Sequence, residues 1–318
     1  MYFIENFKDG DKVSGVYYCK SKQSAVSRAG KEYENVILSD KTGSIDTKIW
    51  DPNSLAIKEF SPSDFVEVSG MVSLYNGKLQ FKLDSARVAD EGEYNPTDYM
   101  ASSRFDIEEM SKEFFDMIKS INNKYLRTLL ENIFVEDTEF FNIFKKASAA
   151  KSVHHGYLGG LLEHSLSVAR LTSLMCSNYD YANRDLAVTA AMLHDVGKIR
   201  ELSPFPENDY TDEGNLIGHI VIGYGMLVER IAKIDGFPHI LAQELEHCIL
   251  SHHGELEYGS PKKPALIEAM ALNLADNADA KIETMTELLN SNSSASSDQW
   301  LGYNRLLETN VRKTSELK

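Results

Sequence analysis

The hydrophobic pattern changes period once along this chain. Between residues 12 and 88 apolar positions come in short alternating runs, which predicts strands. The candidates are Lys12–Lys20, Glu34–Leu38, Ile45–Trp50, Asp64–Val72 and Lys78–Leu83. The turn-rich stretch Ser39-Asp40-Lys41-Thr42-Gly43 separates the second from the third. Tyr75-Asn76-Gly77 joins the last two, and Asn-Gly is a strong hairpin signal. Asn53–Phe60 reads as a short helix. From Asp106 onward the period is helical: Phe114, Met117, Ile118 and Ile121 keep i, i+3, i+4, i+7 spacing. Further helices are predicted at Leu158–Cys176, Asp185–Leu193, Ile217–Ile234, Pro238–Ser251 and Pro264–Leu289. Ser203–Gly214, with Pro204 and Pro206, is a loop. Trp300–Leu307 is a short amphipathic end expected to dock on the body.

Three strands, a short helix and two more strands is the order of an OB-fold, a small Greek-key barrel that often binds single-stranded nucleic acid. The predicted fold class is α+β multidomain: an N-terminal five-stranded OB-like β-barrel followed by an all-α domain. The boundaries read as 1–90 for the barrel, 91–105 for a linker and 106–318 for the helical domain. Alternation sends Ile45, Thr47 and Ile49 to one face and Asp46, Lys48 and Trp50 to the other. Leu79, Phe81 and Leu83 likewise oppose Lys78, Gln80 and Lys82. An outer face with Lys48, Trp50 and Lys82 suits stacked bases and tracked phosphates. The plain structural alternative is that Trp50 closes the barrel end and the lysines are solvated.

The net charge of −15 argues against a protein that coats nucleic acid nonspecifically. It is unevenly spread. Residues 1–90 hold 12 basic and 13 acidic side chains, and the rest 21 against 35. A polyanion therefore meets the N-terminal part first. No apolar run is long enough to span a membrane, and the N-terminus has no secretory pattern. The three cysteines, Cys19, Cys176 and Cys248, read as reduced thiols of a cytoplasmic protein, not a disulfide frame.

The helical half holds the chemistry. His164, His194-Asp195, His219, His252-His253 and Asp276 stand among Leu, Ala and Gly. Any one alone reads as a hydrogen-bonded core residue. Together they are a costly set of polar groups to bury, and shared divalent metals remove that cost. Histidine and carboxylate without thiolate suit Mn, Fe, Co, Ni or Zn. Lys198, in His194-Asp195-Val196-Gly197-Lys198, has a plain alternative as a helix C-terminal cation.

The order His164, His194-Asp195, Asp276 resembles the HD phosphohydrolase superfamily, an all-helical metal-dependent fold. His219 and the His252-His253 pair resemble its extended, two-metal version. The stretches His154-His155-Gly156-Tyr157-Leu158-Gly159-Gly160 and Ser251-His252-His253-Gly254-Glu255-Leu256-Glu257-Tyr258-Gly259-Ser260-Pro261, behind an OB-like N-terminus, resemble the YhaM-type 3′–5′ exoribonucleases. That resemblance spans nearly the whole chain. It implies an OB module feeding single-stranded RNA, and sometimes DNA, into an HD site, with Mn²⁺ as the usual metal. It also implies substrate contacts for His154 and His155, which as caps of the following helix have a structural alternative. The family often carries a His three residues before the last Asp; this chain has Asn273.

The expected mechanism is two-metal phosphodiester hydrolysis. Asp195 bridges, His164, His194 and Asp276 serve one ion, and His219 with His252 or His253 serves the other. Lys198 steadies a phosphate oxygen, and Glu163 orients a ligand. The rivals are an HD phosphohydrolase of free nucleotides or cyclic dinucleotides, and a non-catalytic OB-type binder. The cyclic-dinucleotide branch carries Gly-Tyr-Pro after its His-His pair, whereas this chain reads Glu257-Tyr258-Gly259-Ser260-Pro261. A nucleotide phosphatase has no need of the barrel, and a mere scaffold has no need of every ligand type. Homo-oligomerisation is left open.

Overall fold

The computed structural model describes all residues except 1, 28–29, 96–97, 100–102, 152–155, 206, 292–298 and 316–318. The chain divides into two compact units, residues 1–102 with 204–208, and 103–203 with 209–318.

The first unit is a closed five-stranded barrel. Its strands are β1 (Lys12–Val26), β2 (Glu32–Asp40), β3 (Gly43–Ile49), β4 (Phe65–Tyr75) and β5 (Lys78–Val88), in the order β1-β2-β3-β5-β4. β1 pairs with both β2 and β4, and the β3–β5 pair is parallel. That is OB-fold topology. The alternation works as read: Ile45, Thr47, Ile49, Phe81 and Leu83 are buried inside with Tyr17, Val36, Leu38 and Val68. Asn76 and Gly77, both at positive φ, make the two-residue β4–β5 turn between paired Tyr75 and Lys78. β4 coils sharply at a bulge beside Gly70, where a Cβ would stand 2.0 Å from the Lys82 carbonyl oxygen.

The helix expected at Asn53–Phe60 does not form. The segment is a run of turns, with Ile57 bridging to Ala86 and Phe60 buried in the barrel core. Pro52, Asn53 and Ser54 open it with turn chemistry, and anchoring Ile57 and Phe60 to the barrel outweighs a weak helical pattern. In the stretch read as a linker, Tyr94 stacks on Phe65, Tyr99 meets it edge-on, and the Tyr99 hydroxyl donates to the Val16 carbonyl at 3.0 Å.

The second unit is helical: α1 (Ile107–Lys119), α2 (Lys124–Glu131) running into a π turn, α3 (Thr138–Phe144), α4 (Gly160–Cys176), α5 (Arg184–Leu193), α6 (Lys198–Glu201), α7 (Asp212–Ile217), α8 (His219–Ile231), α9 (His239–Ser251) and α10 (Ile267–Ser291). Asp106, Asn123, Asp137 and Asn183 accept from backbone N–H groups at the starts of α1, α2, α3 and α5. Each cap is worth about 1 kcal/mol. α5 is the centre. Every residue from Leu186 to Leu193 is buried, so the helix is apolar all round and α4, α9 and α10 pack against it. The helix expected at Ile217–Ile234 forms as α8, beginning at His219 because Gly218 takes φ +80, and α7 starts at Asp212, inside the stretch expected to be a loop. The expected amphipathic end is a hairpin, β6 (Trp300–Asn304) with β7 (Thr309–Arg312), whose Val311 is buried.

Candidate metal centre

Five helices deliver the predicted ligands to one place. His164 sits in α4, and His194-Asp195 follows the buried end of α5. His219 opens α8, His252-His253 closes α9, and Asp276 lies on α10. His194, Asp195, His164 and His252 are buried. His164 Nε2 is 3.2 Å from His194 Nε2, 3.2 Å from Asp276 Oδ1 and 3.4 Å from Asp195 Oδ2. On the other side, Asp195 Oδ1 is 3.4 Å from His219 Nε2 and 3.8 Å from His252 Nε2. Two sets result, His164–His194–Asp276 and His219–His252–His253, each with its ligand atoms within 4.8 Å of one another. Asp195 stands between them, one oxygen toward each.

The donor set fits divalent cations. Asp195 Oδ1, His219 Nε2 and His252 Nε2 are buried and have no hydrogen-bond partner among the described residues. Three such atoms converging on one point are costly unless something positive binds them. The opposite edges of the rings are tied down. The Nδ1 atoms of His194, His252 and His253 donate to the carbonyls of Ala191, Ile249 and Tyr258. His164 Nδ1 lies 2.7 Å from Asp279 Oδ2, and His219 Nδ1 lies 2.9 Å from Glu201 Oε1. The Nε2 edge of each ring is thus turned into the centre, and those of His219 and His252 have no hydrogen-bond partner among the described residues.

Burial pushes the Asp195 carboxyl up, but Lys198, His194 and His164 outweigh it and hold the group well below the usual carboxylate range. Burial pushes the His164 ring down, and its hydrogen bonds to Asp195, Asp276 and Asp279 lift it well above its ordinary value. His252 goes the other way: burial, with His194 and His253 beside it, keeps it neutral. Lys198 opens the four-residue helix α6. Its Nζ is 2.7 Å from Asp195 Oδ2.

Some parts of the site are absent from the sequence reading. Asp279 and Glu201 are the carboxylates behind His164 and His219. Ser167 also donates to Asp279. Spacing carried a signal: Asp279 is one turn after Asp276, Ser167 one turn after His164, and Glu201 one turn after Lys198. Glu163 is hydrogen-bonded to Tyr157, whose phenol is pushed up by burial and by that carboxylate. Asn273, where the family often has His, donates to the His252 carbonyl at 2.7 Å and so fixes the end of α9. His154 and His155 lie outside the described residues.

Two glycines allow the close packing. A Cβ on Gly197 would stand 2.1 Å from the His219 carbonyl oxygen, so only Gly lets this backbone touch the start of α8. Gly254, at φ +80, would drive a Cβ to 2.5 Å from the Asn273 amide.

On the barrel, Lys48 and Lys82 are neighbours in the β3–β5 register. Trp50, 40% exposed, stacks on Tyr33 with ring centroids 4.9 Å apart. Tyr33 was not anticipated; it is held next to Trp50 by the β2–β3 pairing, which places Glu34 opposite Ile49. Lys82 is exposed, whereas the Lys48 ammonium is engaged by Asn35 and Asp46.

The helical unit carries an HD domain, matched over residues 161–281, which defines the class as a metal-dependent phosphohydrolase. Over 291 residues the chain is 33% identical to the 3′–5′ exoribonuclease YhaM of Geobacillus sp. (strain WCH70), spanning 90% of this chain and 87% of that one. The chain belongs to this YhaM exoribonuclease family. Among solved structures it is similar to the second OB-fold domain of replication protein A from Methanococcus maripaludis. That likeness has 25% identity and a TM-score of 0.22, over 29% of this chain and 96% of that one. It is also similar to an OB domain from Thermoplasma acidophilum, with 21% identity and a TM-score of 0.22, over 30% of this chain and 90% of that one. The barrel assignment rests on the strand order itself.

Proposed function

We propose that this chain is a metal-dependent 3′–5′ exoribonuclease that shortens single-stranded RNA from its 3′ end. The observation that carries the reading is Asp195, whose two oxygens face two separate ligand sets just after the buried run Leu186–Leu193 of α5. His164, His194 and Asp276 would hold one cation and His219, His252 and His253 a second, with Asp195 facing both. Bound divalent cations supply a water of lowered pKa and neutralise the charge that develops on the phosphate oxygens. Lys198 keeps Asp195 ionised and stands ready to steady a phosphate oxygen of the substrate. His154 and His155 are assigned to substrate contact on family resemblance alone. Mn²⁺ is the favoured metal.

The test is direct. End-labelled single-stranded RNA with Mn²⁺ should give a ladder shortening stepwise from the 3′ end, and chelator should abolish it. Release of phosphate from free nucleotides with no ladder would overturn the assignment. Single-stranded DNA run alongside decides whether it is also a substrate.

The carboxylates behind the rings give a second expectation. Glu201→Gln and Asp279→Asn should each weaken cation binding about 10- to 100-fold, because the imidazole loses both its anchor and some basicity. Titration of the metal-free protein measures this. Unchanged affinity would leave these groups with a purely structural role.

The barrel face supplies base contacts through Trp50 and Tyr33, with Lys82 and, once released from Asp46, Lys48 meeting phosphates. Trp50→Ala is expected to weaken binding of a long strand by about 1–3 kcal/mol. Cleavage of a dinucleotide should stay unchanged. Equal losses on both substrates would remove the barrel from strand binding. Among the described residues no helix is long and apolar enough to cross a membrane. Three free, buried cysteines support a reducing, cytoplasmic setting.

A further inference from the structure

The two ligand sets differ in chemistry, and the inference that follows rests on the two-cation reading above. The first set offers two imidazoles and the Asp276 carboxylate. Asp195 Oδ2, 3.4 Å from His164 and 3.3 Å from His194, gives it a second carboxylate oxygen. The second set is three imidazoles with no carboxylate of its own, and Asp195 Oδ1 is the carboxylate oxygen that faces it. All three of these rings have Nδ1 fixed, by Glu201, the Ile249 carbonyl and the Tyr258 carbonyl. Their Nε2 atoms are therefore presented together.

We propose that the two positions are not interchangeable. The His164–His194–Asp276 position takes a hard, oxygen-preferring divalent cation such as Mn²⁺. The His219–His252–His253 position takes an imidazole-preferring cation of the Zn²⁺, Ni²⁺ or Co²⁺ kind. Carboxylate oxygens suit Mn²⁺, and imidazole suits the later metals. Zn²⁺ outbinds Mn²⁺ at most nitrogen and oxygen sites, so the claim concerns the ratio of the two affinities. That ratio rises where a carboxylate is exchanged for a third imidazole. Charge acts in the same direction: the first set brings an anion of its own, while the second relies on neutral rings and on lone-pair donation.

The test uses the full-length protein, stripped of metal, in excess Mn²⁺ with one equivalent of Zn²⁺. Bound metals are counted after equilibrium dialysis. The expected result is one Zn²⁺ and one Mn²⁺ per chain. His253→Gln, and independently His219→Gln, should weaken Zn²⁺ uptake at least about tenfold while Mn²⁺ is retained. Asp276→Asn should lose Mn²⁺ and keep the Zn²⁺. Circular dichroism checks that each variant is folded, and two variants at the imidazole set protect against the loss of one. If two ions bind but Asp276→Asn and His253→Gln lower Zn²⁺ uptake equally, the inference fails and the two-cation reading stands. A single bound ion in the unaltered protein would overturn both.

Discussion

Replacing Asp195 by Asn is expected to lower kcat on single-stranded RNA by roughly three orders of magnitude, the scale seen when one preorganised charged group is lost from a reaction centre. The substitution keeps the shape of the side chain and removes its charge. Asp195 is nearly inaccessible to solvent, with Lys198 Nζ at 2.7 Å and four histidine Nε2 atoms within 4 Å. A neutral amide there leaves the half-buried Lys198 ammonium without its counter-charge and halves the anionic donors of the first set. Metal content should fall at both positions together, because one side chain faces both. Single-turnover kinetics with metal analysis of the same sample is the measurement. A variant that keeps two ions and near-normal turnover would remove Asp195 from the centre.

Gly197→Ala is expected to have the next largest effect, though no ligand is altered. The added Cβ would meet the His219 carbonyl oxygen at 2.1 Å and the Gly223 backbone nitrogen at 2.7 Å. Both obstacles are main chain of α8, which cannot rotate away as a side chain does. We expect a cost of about 3 kcal/mol, the upper range for overpacking. For a unit of this size that lowers Tm by roughly 6–12 °C. Relief comes from pushing the start of α8 outward, and His219 moves with it, off Asp195 Oδ1 and Glu201. Activity should fall with the imidazole-rich position affected more than the other. Thermal unfolding and metal counting on the same variant separate the two losses. Wild-type stability would mean that the loop after Asp195 yields and the close approach is not required.

These two residues show how the centre is built. Asp195 is held in a dry place by α5, which is apolar on every side and has no solvent face to turn toward. Gly197 lets the next turn of chain lie against α8, so that a histidine some twenty residues on arrives at the second carboxylate oxygen. The ring anchors then fix direction. Three use backbone carbonyls at helix ends, and two use carboxylates one helical turn away from other site residues.

Much of this was legible in the residues. Period-2 alternation in Ile45–Trp50 and Lys78–Leu83 sorted inside from outside correctly, because a strand paired on both sides has only two faces. Asn76-Gly77 marked its hairpin, since few other pairs accept positive φ at both positions. The ligands were visible as histidines and aspartates set among apolar neighbours, where burial without a partner is too costly to be accidental. Local pattern failed where tertiary anchoring decided. Asn53–Phe60 has a helical look, but Ile57 and Phe60 are claimed by the barrel. The helix expected at Ile217–Ile234 starts only at His219, because Gly218 at positive φ separates it from α7. Asp279 and Glu201 are marked in sequence only by their one-turn spacing from Asp276 and Lys198, and Tyr33 by nothing; what identifies each is the ring beside it.

The sequence by itself determined the two-part architecture, the ligand types and the family, because periodicity, residue chemistry and motif order are properties of the linear chain. The tertiary structure alone decided which oxygen of Asp195 faces which set, and that Glu201 and Asp279 stand behind the rings. That depends on where α4, α8, α9 and α10 cross the end of α5, and on a glycine that lets two backbones touch.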